Sequence, residues 1–336
     1  MTRAAVIGAG SWGTAFAQVL VDSGTETMLC ARRVELADAI TERHENPDYL
    51  PGIQLSPRLR ATADPEVALH GADVVVLAVP SQTLRANLED LVGVLPRDAT
   101  LVSLMKGVEL GTDKRMTEVI RDVIDVPERQ VVAVSGPNLA REIACREPAA
   151  AVVACTDLDV ARVVQDACNS GYFRPYRNHD VIGCELGGAV KNVIALAVGM
   201  AAGLGLGDNA RASLITRGLA ETARIGVALG AEPLTFAGLA GMGDLVATCS
   251  SPLSRNRTFG EDLGRGLSVD QVVAKTKQTA EGVKSCRSIL DLARQHHVAA
   301  PITEHVVKVV AEGMTVTEML TSLLANSPKH EQDPDV

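Results

Sequence analysis

We expect an α/β chain in which an N-terminal doubly wound sheet is followed by an all-α domain. Short apolar runs alternate with helical patterns up to residues 178–180, as in sheets whose strands are joined by helices. Beyond that region the apolar residues recur at helical spacing only. Because 336 residues exceed what one hydrophobic core usually serves, we predict two domains, 1–179 and 180–325, and a disordered tail at 326–336.

The composition is that of an ordinary globular protein, with 46% apolar and 22% charged residues. A formal net charge of −9 argues against a general nucleic-acid binder, although a small anionic substrate needs only a local cluster of cations. The seven cysteines are odd in number and include no C-x-x-C pair, which is typical of a reducing compartment. We therefore expect a cytoplasmic protein without a metal site, a signal peptide or stable membrane insertion.

The first strand is predicted at residues 4–7 (AAVI), where it leads directly into the glycine-rich segment GAGSWGTA and then into a helical pattern. Gly8 permits a tight turn, Gly10 lets backbone amides approach a pyrophosphate, and Gly13 lets the helix pack closely on the strand. The strand–loop–helix context therefore predicts a Rossmann-like dinucleotide site with the phosphates at the helix N-terminus. The alternative is a strand–turn–helix with incidental glycines.

The second strand, at residues 27–30, bears on the choice between NADH and NADPH. An NAD site usually places Asp or Glu at the end of this strand to bind the ribose 2′-hydroxyl. This strand is followed instead by Ala31, Arg32 and Arg33. Since arginine suits a 2′-phosphate, NADPH is favoured and NADH is left open. The alternative is that Arg32 and Arg33 cap a solvent-facing turn.

Three further strands are predicted at residues 72–80, 100–104 and 131–134, followed by the segments VPSQ, MKG and SGPNLA. Because strand ends of a doubly wound sheet line one crevice, we expect these segments at the ligand-binding edge. Lys106 is then a cation directed at the site, or else a solvated turn lysine. Extended segments at 149–154 and 172–176 complete the predicted sheet.

The second domain contains a lysine in unusual surroundings. Helices are predicted at residues 182–202, 210–229, 233–237, 269–273, 281–297 and 303–313. The first carries Lys191 within a small, apolar run, where an ammonium is costly to bury unless it is paired or functional. Lys191 is therefore either an end-of-span residue that reaches water or a catalytic lysine. The run after it is shorter than the roughly 20 residues that span a bilayer, which favours the catalytic interpretation.

Two further polar clusters lie in the second domain. Asp244 lies in a glycine turn, GMGDL, directly before an apolar run. Residues 254–257 (SRNR) combine cations with small hydrogen-bond donors, which suits a phosphate, although a solvated helix start has the same residue types.

The motifs together resemble those of the bacterial NAD(P)-dependent glycerol-3-phosphate dehydrogenase family. The resemblance covers almost the whole chain, in order. Its elements are GAGSWGTA (8–15), NPDYLPG (46–52), VPSQ (79–82), MKG (105–107), SGPNLAREI (135–143), ELGGAVKNVIALAVGM (185–200), GLAGMGDL (238–245), SRNRTFG (254–260) and AEGVKS (280–285). It implies a Rossmann-like domain followed by a helical domain of the 6-phosphogluconate-dehydrogenase type.

The resemblance also implies roles for individual residues. The catalytic residues would be Lys191, as general acid/base, with Lys106 and Asp244. Cofactor contacts would come from Gly8, Gly10, Ser11, Trp12, Gly13, Arg32, Arg33, Tyr49, Lys106, Ala140, Arg255 and Glu281. Substrate contacts would come from Lys106, Gly136, Asn138, Lys191, Asn192, Asp244, Ser254, Arg255 and Asn256. Asn138 departs from the pattern, because many relatives carry Ser or Thr there.

The implied reaction is reversible hydride transfer between NAD(P)H and dihydroxyacetone phosphate, giving glycerol 3-phosphate for phospholipid synthesis. We expect Lys191 within reach of Lys106 and Asp244, with Arg255 a phosphate's length away. Alternatives are another two-domain hydroxy-acid or hydroxyacyl dehydrogenase and a non-catalytic NAD(P)-sensing protein. The expected partners are a small-molecule substrate and, at most, a second copy of the chain in a homodimer, with no nucleic acid.

Overall fold

The computed structural model describes residues 2–275 and 280–324. The tail predicted at 326–336 lies outside the described residues. Contacts divide the chain into two compact units, the first comprising Met1–Met105 with Met116–Val181 and the second Lys106–Arg115 with Ile182–Val336. The short segment Lys106–Arg115, which the sequence suggested would belong to the N-terminal domain, thus makes its contacts within the second unit.

The first unit is built on an eight-stranded sheet with the order β3-β2-β1-β4-β5-β6-β7-β8. Neighbouring strands are parallel except for β6 and β7, which pair antiparallel. The order runs in opposite directions on either side of β1 and β4, as expected of a doubly wound sheet. The strands are β1 (Arg3–Ile7), β2 (Glu26–Cys30), β3 (Arg60–Thr62), β4 (Val74–Leu77), β5 (Thr100–Ser103), β6 (Val131–Ser135), β7 (Ala149–Ala154) and β8 (Phe173–Asn178).

Helices cover both faces of this sheet. Along β1, Ala4 and Val6 join one hydrophobic cluster, while Ala5 and Ile7 join another, because successive side chains point to opposite faces. This explains why the parallel strands are continuous apolar runs. The helices of this unit are α1 (Ser11–Asp22), α2 (Val34–Asp38), α3 (Pro65–Leu69), α4 (Leu84–Leu91), α5 (Met116–Val123), α6 (Ala140–Ala144) and α7 (Leu158–Cys168).

The strand pattern missed β3 and overestimated β4. β3 has three residues, pairs only with β2 and is partly exposed, so it has no apolar run to reveal it. The structure has β4 only over Val74–Leu77, although the backbone N–H of Asp73, just before it, still donates to the carbonyl oxygen of Arg3 at 2.9 Å and the Asp73 carboxylate accepts the backbone N–H of Arg3 at 2.9 Å.

The second unit is helical in its described part, apart from one isolated bridge between Val108 and Arg115. Its helices are α8 (Val181–Gly203), α9 (Asp208–Ala228), α10 (Pro233–Ala237), α11 (Asp244–Ser250), α12 (Arg255–Gly264), α13 (Val269–Lys275), α14 (Glu281–Gln295), α15 (Pro301–Ala311) and α16 (Val316–Leu324). α11 and α16 were not predicted as helices from the sequence, and α12 appeared there only as the alternative of a helix start at SRNR.

Helix α8 is the centre of the second unit. A Cβ at Gly187 would lie 2.4 Å from the carbonyl oxygen of Ala240, and one at Gly199 would lie 2.1 Å from that of Arg257. These two glycines of α8 thus let neighbouring segments of the second unit pack close to it. By length and composition α8 could cross a membrane, with a mean hydropathy of 1.6, but 94% of its most apolar window is buried inside the protein. Its burial, and not its length, identifies it as a core helix.

Candidate active site

Asp244 joins the two lysines that the sequence singled out. Its Oδ1 accepts a hydrogen bond from Lys191 Nζ at 2.6 Å, and its Oδ2 accepts one from Lys106 Nζ at 2.7 Å. The side chain of Asp244 is 1% exposed, compared with 9% for Lys191 and 13% for Lys106. Two ammoniums therefore share one buried carboxylate. Lys191 lies within reach of Lys106 and Asp244, as expected.

Thr248 is a fourth member of this group that the sequence analysis missed. Its hydroxyl oxygen accepts a hydrogen bond from Lys191 Nζ at 2.6 Å and lies 3.3 Å from Asp244 Oδ1, to which it donates. Asp244 and Thr248 are four residues apart on α11, so they lie on the same helix face. That spacing was the signal by which Thr248 could have been found. Thr248 and Asp244 together fix the position of the Lys191 ammonium.

Burial brings the pKa of Lys106 closer to neutrality. Desolvation lowers the pKa of Lys106 from 10.5 to about 8, with the positive charge of Lys191 acting in the same direction. The negative charges of Asp244 and Glu281 act against this shift. An ammonium with a pKa close to neutrality can exchange its proton at working pH.

Within the second unit, the segment Lys106–Arg115 is held to helix α8 at both of its ends. At its start, the carbonyl oxygen of Lys106 accepts a hydrogen bond from Asn192 Nδ2 at 3.2 Å. At its end, Arg115 Nη1 forms an ion pair with Glu185 Oε2 at 2.6 Å, and these side chains are only 12% and 5% exposed. Glu185 and Lys191 belong to the same helix, α8. The buried pair therefore ties the segment that carries Lys106 to the helix that carries Lys191.

Asn192 and Asn256 connect three elements of the same unit. Asn256 Nδ2 donates to Asn192 Oδ1 at 2.9 Å, and Asn256 Oδ1 accepts the backbone N–H of Gly282 at 2.9 Å. Both asparagines are buried. The chain of amides links α8, α12 and the start of α14, where Glu281 is the first helical residue.

The SRNR cluster forms the N-terminus of α12. Ser254 is the N-cap and its Oγ accepts the backbone N–H of Arg257 at 3.3 Å, while Arg255 is exposed at the first helical position. A ten-residue helix that begins with an exposed arginine can bind an anion through the guanidinium and the free N–H groups of its first turn. The helix start that the sequence left as an alternative is thus present and is compatible with phosphate binding.

In the first unit, the glycine loop has the geometry of a dinucleotide site. Gly8 has a φ of +112°, and a Cβ there would lie 2.7 Å from the carbonyl oxygen of Ala78. A Cβ at Gly13 would lie 2.0 Å from the carbonyl oxygen of Gly8, whereas the space around Gly10 is open. No side chain caps α1, which begins at Ser11. The loop therefore has a turn and a tight helix contact where the motif needs them, and open space for a pyrophosphate.

A turn at residues 46–50 is fastened to this loop. Asn46 is fully buried, and its Nδ2 donates to the carbonyl oxygen of Ala9 at 3.0 Å and to Thr14 Oγ1 at 2.8 Å. Its Oδ1 accepts the backbone N–H of Tyr49 at 3.1 Å, and Ser11 Oγ donates to the carbonyl oxygen of Tyr49 at 3.0 Å. Asn46 was not assigned a role from the sequence, although it opens the NPDYLPG element. Asn46 holds Tyr49, which is partly exposed, beside the glycine loop.

The two arginines after β2 differ in their surroundings. Arg32 is exposed and makes no hydrogen bond or ion pair with any described residue. Arg33 forms an ion pair with the carboxylate of Asp48.

Several buried polar atoms of the first unit lack a protein partner. They include Trp12 Nε1, Ser135 Oγ and both side-chain amide atoms of Asn138. Buried polar atoms are normally hydrogen-bonded, so a bound ligand or an ordered water would supply the partner that these atoms lack. Trp12 is the second residue of α1. Asn138 lies after β6 and Gly136, which has a φ of +116°, and before Ala140 at the start of α6. The Asn138 amide can donate to and accept from a ligand.

Among the described residues, no group of three or more His, Cys, Asp or Glu side chains is arranged to hold a metal ion. All seven cysteines are described and none forms a disulfide. The second unit has the two ammoniums on Asp244, and the first unit has the glycine-rich loop before α1. These are the groups that an NAD(P)-dependent oxidoreductase acting on a CH–OH group requires, namely a dinucleotide site and positive charge for a developing alkoxide.

Comparison with known proteins identifies the family. Residues 3–161 match the N-terminal part of NAD-dependent glycerol-3-phosphate dehydrogenase, and residues 180–321 match its C-terminal part. The chain therefore belongs to the NAD-dependent glycerol-3-phosphate dehydrogenase family, as its motifs suggested.

Individual relatives agree with this membership. Proteins named glycerol-3-phosphate dehydrogenase (NAD(P)+) from Streptomyces griseus and Thermobifida fusca are 63% identical over 330 residues and 62% identical over 333 residues. These alignments cover 98% of both chains in the first case and 99% in the second. The crystal structure of glycerol-3-phosphate dehydrogenase from Coxiella burnetii is 33% identical, covers 97% of this chain and 99% of its own, and has a TM-score of 0.91.

Proposed function

We propose that the protein catalyses the reversible, NAD(P)H-dependent reduction of dihydroxyacetone phosphate to sn-glycerol 3-phosphate. The observation that carries this proposal is the pair of ammoniums, Lys191 and Lys106, on the buried carboxylate of Asp244. The near-complete alignment with relatives named for this activity supports the choice of substrate. Within cells, we propose a cytoplasmic role in supplying the glycerol phosphate backbone of phospholipids.

In the proposed mechanism, bound NAD(P)H supplies the hydride that reduces the ketone carbon of the substrate. Negative charge then develops on the carbonyl oxygen, and the ammoniums of Lys191 and Lys106 stabilise it. Lys191 donates the proton that completes the alcohol, and it takes the proton back in the reverse direction. Asp244 and Thr248 hold Lys191 in place, so that little reorganisation is needed during the reaction.

The substrate phosphate is assigned to the N-terminus of α12. Arg255 supplies a guanidinium that can bind two phosphate oxygens, and Ser254 and Asn256 supply further polar groups beside it. In the first unit, we assign Gly136, Asn138 and Ala140 to contacts with substrate or cofactor, because the Asn138 amide is buried without a protein partner. Glu281 is assigned to the cofactor, and its charge also reaches Lys106.

For the cofactor, we propose that both NADH and NADPH bind at the glycine loop and that NADPH is preferred. The support is that Ala31, Arg32 and Arg33 follow β2 where an NAD-specific site would place an acid. The exposed Arg32, which has no described partner, is the first candidate for a 2′-phosphate.

The test is a comparison of dihydroxyacetone phosphate with unphosphorylated dihydroxyacetone, followed through the absorbance of NADPH. We expect turnover of the phosphorylated substrate and a kcat/KM at least 100-fold lower without the phosphate, because two charge-assisted bonds are lost. Arg255→Gln should reduce this difference. Equal rates with both substrates would instead favour a hydroxy-acid dehydrogenase, and cofactor binding without turnover would favour a sensing protein.

A further inference from the structure

Asp48 has no role in the proposed function, yet its carboxylate forms an ion pair with Arg33, one of the two arginines after β2. The side chains of Arg33 and Asp48 are 52% and 47% exposed, so the ion pair lies at the surface of the first unit, which also contains the glycine loop. Arg32, its neighbour, has no described partner. The two arginines are therefore not equivalent, since only the guanidinium of Arg33 is already engaged by a carboxylate.

The position of Asp48 is set by a buried anchor. Asp48 lies two residues after Asn46, whose side chain binds Ala9 of the glycine loop, Thr14 of α1 and the backbone of Tyr49. The carbonyl oxygen of Asn46 also accepts the N–H of Leu50 at 2.9 Å, which closes the turn around Asp48. These hydrogen bonds fix the position of the turn, and with it the position of the Asp48 carboxylate relative to the glycine loop and the end of β2.

That place is where the adenosine ribose of a dinucleotide is recognised in this type of sheet. A carboxylate there accepts hydrogen bonds from the ribose hydroxyls of NADH, as the acid at the end of the second strand does in NAD sites. The same carboxylate repels the 2′-phosphate of NADPH and occupies a guanidinium that could bind it. The chain thus carries two arginines for the phosphate and, on a different segment, an acid that opposes one of them.

We propose that Asp48 is a specificity-determining residue that engages Arg33 and thereby narrows the preference for NADPH over NADH. This inference rests on the proposed binding of both cofactors at the glycine loop. It assigns the 2′-phosphate mainly to Arg32 in the native chain. It also assigns to the NPDYLPG turn a role in the choice of cofactor, in addition to holding Tyr49.

The experiment measures the dissociation constants of NADPH and NADH by the fluorescence of Trp12, the only tryptophan of the chain, which lies in the first turn of α1 directly after the glycine loop. In Asp48→Asn, we expect NADPH to bind about five-fold more tightly, because an exposed pair contributes modestly, while NADH binds equally or less tightly. When Asp48→Asn is added to Arg33→Ala, we expect little further increase in NADPH affinity. The reason is that the guanidinium of Arg33, which the Asp48 substitution would release, is absent from that variant.

The matched control is Glu45→Gln, which removes the same charge three residues away. Glu45 pairs with Arg43 at 2.8 Å and is similarly exposed, at 44%. We expect it to leave the ratio of the two dissociation constants unchanged, and melting temperatures would show that all variants remain folded. An unchanged ratio in Asp48→Asn, or an equal change in Glu45→Gln, would overturn the role of Asp48 alone. Failure of the wild-type protein to bind either cofactor would overturn the proposed function as well.

Discussion

Lys191 is the residue on which the proposed chemistry depends most. Its ammonium is held by Asp244 and Thr248 at 2.6 Å each, in an environment where its side chain is 9% exposed. In Lys191→Ala, we expect kcat to fall about 100- to 10,000-fold, which is the range of a positioned general acid. Cofactor affinity should stay near that of the wild type, because the glycine loop is not altered.

The matched control for this variant is Lys308→Ala. Lys308 pairs with Glu304 at 3.0 Å in the same unit but is 33% exposed and belongs to a different helix, α15. We expect it to retain wild-type kcat. Steady-state kinetics and a cofactor titration measure both quantities, and a Lys191→Ala variant that keeps its turnover would exclude Lys191 from the proton transfer.

The lowered pKa of Lys106 leads us to expect that activity depends on pH. Its lowered pKa of about 8, caused mainly by desolvation, means that it is an ammonium below that pH and neutral above it. The positive charge of Lys106 is needed to stabilise the negative charge that develops on the alkoxide oxygen. We therefore expect kcat/KM to fall as pH rises through about 8. In Lys106→Arg, whose guanidinium remains charged, the residual activity should lack this decrease. A decrease at the same pH in that variant would show that another group titrates.

Among the elements, the segment Lys106–Arg115 shows how a buried ion pair supports the site. In Arg115→Met, Glu185 would lose its guanidinium partner while remaining 5% exposed. We expect the free energy of unfolding to fall by about 3 kcal/mol, since breaking a buried pair is costly. Replacing both residues, in Arg115→Met with Glu185→Leu, should restore much of this loss. Denaturant unfolding measures both values, and a larger loss in the double variant would contradict this account of the pair.

The glycine loop and helix α8 could be predicted from the sequence because their signals are local. A strand, three spaced glycines and a helix follow one another within residues 3–22, and the small residues of α8 form one continuous run. The same is true of Lys191, which is conspicuous because it interrupts that run.

Other parts of the site depend on contacts that are distant in sequence and have no local signal. Asn46 binds Ala9 and Thr14 across more than 30 residues, and Arg115 binds Glu185 across 70. Neither periodicity nor composition indicates such pairs, because they form only after the helices and strands have packed. For the same reason the sequence assigned Lys106–Arg115 to the first domain, next to β5, although its contacts are those of the second unit.

For the molecule as a whole, the two units contain different parts of the candidate site. The first has the sheet and the glycine loop of a dinucleotide site, and the second has the paired lysines, Asp244 and the N-terminus of α12. The net charge is −9, yet cations lie close together at particular places, such as the lysines on Asp244 and the SRNR cluster. A small anionic substrate is therefore compatible with an acidic protein, as its composition suggested.

The transfer of deuterium from cofactor to product tests the proposed reaction most directly. NADPH carrying deuterium at both C4 positions would be incubated with dihydroxyacetone phosphate and the protein, and the product would be analysed by mass spectrometry. We expect glycerol 3-phosphate with one deuterium at C2, formed in equal amount to the NADP+ released, and no such product with Lys191→Ala over the same time. Oxidation of NADPH without deuterium in glycerol 3-phosphate, or no oxidation at all, would contradict the assignment.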